Sequence, residues 1–437
     1  MNSTPPAHPS SGTARPRLLA GRFRWVIVAL LFLATTVNYI DRQVLGILAT
    51  PLEKEIGWSE AEYGLIVTAF QAAYAIGLIG FGRLIDWLGT RIGYLISIAW
   101  WSLAAMAHGF ARSTLGFGAA RFLLGLGEAG NFPAAVKTVA EWFPRRERAL
   151  AVGLFNCGSN VGAIITPLLV PWITLTYGWR AAFFATGAIG FFWVAAWLVL
   201  YRAPDKHPRV SASELAHIHS DHEETQAPVP WVKLIAYRET WALILARFMT
   251  DPVWWFYLYW APKFLHSRHG LTLDQIGLPL VVIYLAADVG SVFGGWLSSM
   301  LIRRGWRVST ARKFAILICA SMVVPVAFAS GVSSLWTAVT VLSFATAGHQ
   351  GWSANMFAMI SDMYPKNAVS SVTGIAGFGG AVGGMLVSAA TGFILQYTGS
   401  YVPVFLWAGS AYLLVLGMIH LMIPQIRPVA LSGARVG

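Results

Sequence analysis

Charge is what this 437-residue sequence has least of: 11% of its residues are Asp, Glu, Lys or Arg, against about 25% in soluble domains. With 56% hydrophobic residues, no water-soluble fold of this length could cover its apolar surface. Cysteine is nearly absent as well. Cys157 and Cys319, the 2 in the chain, both fall in apolar runs, which excludes a disulfide framework or a thiolate metal centre and leaves them as packing residues. A Gly-x-x-x-x-Gly-Lys-Ser/Thr phosphate loop is missing, and with it the signature of ATP hydrolysis. A His-Glu-x-x-His metal pair and a nucleophile motif are missing too, so no catalytic residue, metal or cofactor is expected. No short apolar core with a small-residue cleavage site precedes Trp25, so no cleaved signal peptide is expected.

What the sequence has is apolar runs of 18 or more residues, recurring from Trp25 to Ile423. Each can cross about 30 Å of hydrocarbon. Lipid offers the backbone no hydrogen-bond partner, so the runs must be helices or strands of a closed barrel. Barrel strands alternate in polarity; these runs are continuous, so they read as helices. Twelve spans are expected, at 25–49, 61–82, 92–111, 114–138, 149–173, 181–202, 241–266, 276–302, 312–332, 334–361, 369–396 and 401–424. The fold class is an all-α membrane protein of two six-helix bundles, 25–202 and 241–424. Tails at 1–24 and 425–437 flank them, and a linker at 203–240 joins them. The linker holds Pro204, Pro208, Pro228 and Pro230, a short surface helix from about Ser211, and an acidic, His-rich run over 214–224.

A formal net charge of +12 could suggest nucleic acid, but its distribution does not. The basic residues cluster in alternate loops: Arg15, Arg17, Arg22 and Arg24; Arg83 and Arg91; Arg145, Arg146 and Arg148; 202–238; 303–313. The intervening loops hold Lys54, Arg112, Arg180, Lys263 and Arg268. Excess Lys and Arg mark the cytoplasmic side, so both termini are expected there, in a multi-pass protein of the inner membrane.

The halves carry a repeat. Shifted by 221 positions, Gly127, Gly130, Pro144, Gly153, Gly158 and Gly162 fall on Gly348, Gly351, Pro365, Gly374, Gly379 and Gly383. Glu141 falls on Asp362, Arg145 on Lys366, and Glu128 on His349. Parallel repeats of this kind build two-bundle transporters, with the substrate near the midplane between halves.

Ionisable residues inside spans are expensive and point to function. The first half has Asp41 and Arg42 in one span, and Arg121 and Glu128 seven apart on one face of another. Two acids and two guanidiniums at membrane depth suit a site that exchanges protons, at Asp41 and Glu128, and binds an anion, at Arg42 and Arg121. The alternative is a static ion-pair network that locks the bundle. Around them stand Tyr39, Gln71, Tyr74, Asn156, Ser159 and Asn160, and in the second half Trp254, Tyr257, His349, Gln350, Trp352 and Asn355. Amides, hydroxyls and indole N–H groups suit a polyol, and Tyr39, Tyr74, Gln350, Trp352 and Asn355 are taken as substrate-binding. His349 reads equally as a proton carrier or a neutral hydrogen-bonding group. With no Arg or Lys in the span at 334–361, the first half is expected to hold a carboxylate and the second to read hydroxyls. Between the second and third spans, Gly82, Asp86, Gly89 and Arg91 form a candidate gating turn.

The stretch 82–91 resembles the major facilitator signature loop, with Trp87 where that pattern has a basic residue, and Arg121 with Gly125 and Gly127 resembles the same superfamily's fourth-helix motif. More narrowly, Asn38-Tyr39-Ile40-Asp41-Arg42, residues 125–130 and Asp251-Pro252-Val253-Trp254-Trp255 resemble the anion:cation symporter family, bacterial hexuronate transporters above all. The resemblance implies proton-coupled import of a hexuronate or related sugar acid. It also implies proton coupling at Asp41 and Glu128, with the substrate carboxylate and charge network at Arg42 and Arg121. The expected partners are a small organic anion, protons and the lipid bilayer, with no nucleic acid, and the expected state is a monomer. The competing reading is a proton-coupled drug or metabolite antiporter, against which Arg42 and Arg121 count.

Overall fold

The computed structural model describes residues 22–220 and 229–429. The expected tail residues Arg15 and Arg17, and the linker positions 221–228, lie outside them. Sixteen α-helices and no strand occur among the described residues. They are α1 (Phe23–Ile47), α2 (Ala49–Ile56), α3 (Glu60–Leu88), α4 (Thr90–Ala107), α5 (Thr114–Glu128), α6 (Asn131–Trp142), α7 (Arg145–Tyr177) and α8 (Trp179–Leu200), then α9 (Ala212–Ile218) and α10 (Trp231–Leu234) in the linker. The second half has α11 (Arg238–His269), α12 (Gly277–Arg303), α13 (Val308–Val323) running into a 3-10 turn (Val324–Gly331), α14 (Leu335–Met363), α15 (Lys366–Thr398) and α16 (Val402–Met422).

Setting aside α2, α9 and α10, and joining α5 to α6, the helices make twelve spans. By length and apolarity alone, 7 qualify, or 8 when the two segments of α3 count as one across their 41° bend. Three of the other four fall short for readable reasons. α5 and α6 have 15 and 12 residues, too few each for about 30 Å at 1.5 Å per residue. α11 carries Arg247, Asp251 and Lys263, and α14 the polar run from His349 to Asn355.

The repeat is exact at the helix ends. The offset of 221 carries Thr114 and Trp142, the outer ends of α5–α6, onto Leu335 and Met363, the ends of α14. It also carries Arg145 and Tyr177 of α7 onto Lys366 and Thr398 of α15. Ser113 and Ser334 both cap their helices with side-chain oxygens, as Ser at this position does for an otherwise unpaired N–H. Gly158 and Gly162 of α7 lie against the Phe32 and Thr36 carbonyls of α1; their partners Gly379 and Gly383 lie against the Ile244 and Phe248 carbonyls of α11. Both contacts relate α1 to α11 by 212 positions, a register with no obvious trace in the sequence.

The halves meet through α3 with α15, α1 with α11, and α7 with α12. These contacts sit toward one end, hereafter the distal face. Gly46 touches Leu258 and Tyr259, Gly64 touches Gly392, and Gly277 touches Pro167. Tyr63 donates to the Tyr259 carbonyl at 2.8 Å. The opposite, terminal face carries the start of α1 and the end of α16.

One expectation changes. Cys157 is exposed; Cys319 alone is packed, against Gly348 and Gly351. The linker helix begins after Ser211, whose hydroxyl accepts from Glu214 N, and its acidic side chain is tied to the first bundle. Glu214 is 2% exposed and accepts from the backbone N–H and the side chain of Arg24 at the start of α1, which fastens linker to bundle.

Where α12 meets α14, a Cβ on Gly290 would stand 2.2 Å from the Ala347 carbonyl oxygen, a backbone atom that cannot yield. Gly290→Val should therefore destabilise the detergent-purified protein by about 1–3 kcal/mol, read as a lowered melting temperature. Gly82→Ala, where a Cβ meets open space, should stay within about 0.5 kcal/mol of wild type. Equal melting of the two variants would contradict this packing.

Candidate functional site

Arg42 occupies the centre. It is 1% exposed, and a guanidinium so deep in a membrane needs a countercharge and bonded donors. Its Nε and Nη2 donate to Glu128 Oε2 at 2.9 and 2.8 Å, and Nη2 also donates to Asn38 Oδ1, one turn back on α1, at 3.1 Å. Four rings box it: Tyr39 at 4.7 Å, Tyr74 at 5.0 Å, Phe70 at 5.2 Å and Trp255, from the other half, at 5.3 Å from ring centre to guanidinium carbon. Aromatic faces attract a cation and restrict water around it.

Arg121 is fully buried. It donates from Nη2 to the Arg42 carbonyl at 2.6 Å and lies over Phe70 and Tyr259. Its Nε and Nη1, Glu128 Oε1, both Asp41 oxygens and both amide atoms of Gln71 are buried without a hydrogen-bond partner. Each costs about 1–3 kcal/mol when left unpaired; those of Arg121, Glu128 and Gln71 lie beside the ring box and suit a polar ligand. Asp41 has Glu128, Thr186 and Arg121 as the polar groups acting on it.

The second half carries a different chemistry at the matching place. The offset of 221 carries Glu128 to His349, and the offset of 212 carries Arg42 to Trp254. In place of an ion pair, Trp254 and His349 stack, with centroids 5.5 Å apart and planes 7° apart. His349 Nδ1 also bonds the Tyr412 hydroxyl, which in turn donates to the Thr250 carbonyl.

The remaining expected residues divide. Tyr39 and Tyr74 join Arg42, Arg121 and Glu128 in one cluster. Gln350 is half-buried on α14. Trp352 turns its ring edge-on to Tyr412 at 5.2 Å. Asn355 lies in the seam between α12 and α14, fully buried, with Nδ2 donating to the Gly294 and Gly351 carbonyls at 2.9 Å each. It braces two helices there, away from the Arg42 box. In the first half, Asn156 is exposed, and Ser159 donates to its carbonyl at 2.7 Å.

The model of the Major Facilitator Superfamily matches residues 31–387. The chain belongs to that superfamily. It is a multi-pass membrane transporter and not an enzyme. Among curated relatives, it is 30% identical over 389 residues to the hexuronate transporter of Escherichia coli K12, covering 87% of this chain and 90% of that one. It is 29% identical over 408 residues to the D-galactonate transporter of Escherichia coli O6:H1, covering 90% and 94%. To the probable galactarate/D-glucarate transporter of Bacillus subtilis 168 it is 30% identical over 425 residues, covering 91% and 92%. Among solved structures, the D-xylose-proton symporter superposes with a TM-score of 0.75 at 14% identity, over 93% of this chain and 100% of that one. A bacterial homologue of the human lysosomal transporter Spinster, inward-facing and occupied, gives 0.68 at 19%, over 92% and 95%; both likenesses concern the fold.

In this superfamily member the turn between α3 and α4 keeps its contacts within the first half. Asp86 pairs with Lys137 at 2.8 Å, and Arg91 donates to the Leu198 carbonyl at 2.9 Å. Gly89 has φ of +77°, which only glycine adopts freely; Gly82 has open space around it and no such need.

Three charged residues of α11 receive no site role from the sequence. Arg247 pairs with Asp251 one turn on, Nε to Oδ2 at 2.8 Å, so the second half carries an ion pair of its own on α11, outside the span at 334–361. Lys263, counted above as a loop charge, lies inside α11 and is 4% exposed. It bridges the halves at the distal face, 2.9 Å from Glu53 and 2.6 Å from Glu60. The rule that singles out Asp41, an ionisable group within a span, would have found all three.

A buried lysine held by two acids of the other half closes the distal face, and removing one partner of such a cluster strands the others. Lys263→Met should shift the population toward distal opening. The readout is labelling of a cysteine introduced beside Tyr259, which should rise severalfold in the variant; unchanged labelling would remove Lys263 from the lock.

Proposed function

We propose that this transporter imports a sugar acid, a hexuronate or a close relative, by proton symport and alternating access. The observation that carries the reading is the Arg42–Glu128 pair inside its ring box between the halves. A guanidinium presents a planar fork of donors that matches a carboxylate, and Glu128 already occupies the place a substrate carboxylate would take. Arg42 and Arg121 balance Asp41 and Glu128 in charge. An incoming anion upsets that balance at a depth where net charge is costly, and a proton on Glu128 or Asp41 restores it. Substrate and proton are thereby bound together.

The relatives named for hexuronate, D-galactonate and galactarate/D-glucarate support a sugar acid. Tyr39 and Tyr74, and Gln350 from the second half, are suited to the sugar's C–H faces and hydroxyls. The alternating basic loops favour a cytoplasmic terminal face, in an inner membrane with both termini inside. No cofactor beyond the proton gradient is required, and the unit is a monomer. An antiporter that exports apolar cations is disfavoured by the two central guanidiniums.

In proteoliposomes, a panel of hexuronates, aldonates, aldarates and neutral sugars should show accumulation of acids alone, driven by an inward proton gradient. Asp41→Asn and Glu128→Gln should lower that accumulation at least tenfold while sparing part of counterflow exchange, which moves no net proton. Concentrative uptake by both variants under the same gradient would contradict proton coupling at these residues.

A further inference from the structure

The pair Arg247–Asp251 is not used by the reading above, yet it lies on the surface of α11 turned toward α14 and α15. On that helix, Asp251 approaches Gly380 and Trp255 approaches Gly384, one turn apart on α15. Arg247 lies over Phe357 of α14, 4.8 Å from the ring centre. Arg247, Asp251 and Trp255 therefore form a line between α14 and α15, and the far end of that line, Trp255, is one wall of the Arg42 box.

The Arg247 guanidinium is only partly engaged. Its contacts are the single Nε bond to Asp251 and the Phe357 ring. Among the described residues its terminal Nη nitrogens have no hydrogen-bond partner, and its side chain is 17% exposed. The edge that makes a two-pronged bond to a carboxylate is thus available, on the terminal side of the first site. Trp255 and Arg247 are two turns apart, about 12 Å along the axis. The Arg247 side chain reaches to Asp251, one turn nearer to Trp255 and the Arg42 box.

We infer that Arg247, restrained by Asp251, is a second carboxylate-binding subsite, and that the preferred substrate class is a sugar dicarboxylate with an acid at each end of its hydroxylated chain. This rests on the sugar-acid reading. One carboxylate takes the place of Glu128 on Arg42, and the other takes the free edge of Arg247. Asp251 competes with that second carboxylate for the guanidinium, so its charge weakens binding of the dicarboxylate.

The test is inhibition of uptake in proteoliposomes by galactarate, galacturonate and galactonate, expressed as the ratio of monocarboxylate to dicarboxylate half-inhibitory concentrations. A ratio taken within one preparation does not depend on how much protein folded. Wild type should favour galactarate at least tenfold. Arg247→Gln should lower the ratio at least tenfold, and Asp251→Asn should raise it, because the guanidinium loses its competitor. A pair that merely braces α11 would leave the ratio unmoved, or shift it the same way in both variants, and either result would overturn the subsite while leaving sugar-acid transport intact. No inhibition by any of the three acids would overturn the transport reading and the subsite with it.

Discussion

Everything at the centre of this molecule depends on one buried ion pair, Arg42 with Glu128, and on the fact that neither charge can be left alone. Taking a guanidinium out of water costs several kcal/mol, recovered only when its donors are bonded and its charge is matched. The carboxylate supplies the match, Asn38 supplies a further acceptor, and four rings exclude bulk water. A second carboxylate can replace Glu128 only if Glu128 becomes neutral or moves with its charge. In the proposed mechanism that exclusivity links an anion to a proton at this site.

The pseudo-symmetry shows how one scaffold serves two tasks. The same helical positions that hold Arg42 and Glu128 in the first half hold Trp254 and His349 in the second. An ion pair responds to a proton or an anion, whereas two stacked rings present a face to a ligand and keep their shape. The halves share their packing glycines because helix-on-helix contact is common to both, and they diverge where the ligand would sit. The departure from this division is Arg247–Asp251, a second ion pair one to two turns toward the terminal face. At the distal face, Lys263 between Glu53 and Glu60 joins the halves by charge, complementing the close contacts of Gly46 and Gly64.

The spans were legible because lipid forces continuous apolar runs, and the ends of α7 and α15 could be matched because glycine, proline and acidic residues recur at one spacing. The register of α1 on α11 was hidden. Arg42 and Trp254 share no side-chain chemistry, and the relation emerges only from the carbonyls that Gly158 and Gly379 touch. The Arg42, Arg121 and Glu128 cluster was readable from charge at membrane depth, with Tyr39 and Tyr74 beside it. The direction each polar residue faces was not. Asn355 sits six residues beyond His349 on the same helix, yet one braces a seam and the other stacks on Trp254. Pattern places a residue in a span; the neighbouring helices decide whether it meets a ligand or a backbone carbonyl.

The central claim is that a substrate carboxylate and a proton on Glu128 arrive together. Calorimetric titration of the purified protein with a transported sugar acid, at one pH in two buffers of different ionisation enthalpy, reports the protons taken up per molecule bound. The account predicts net proton uptake by wild type and measurably less by Glu128→Gln. Equal uptake by the two proteins, or no uptake by wild type, would contradict it.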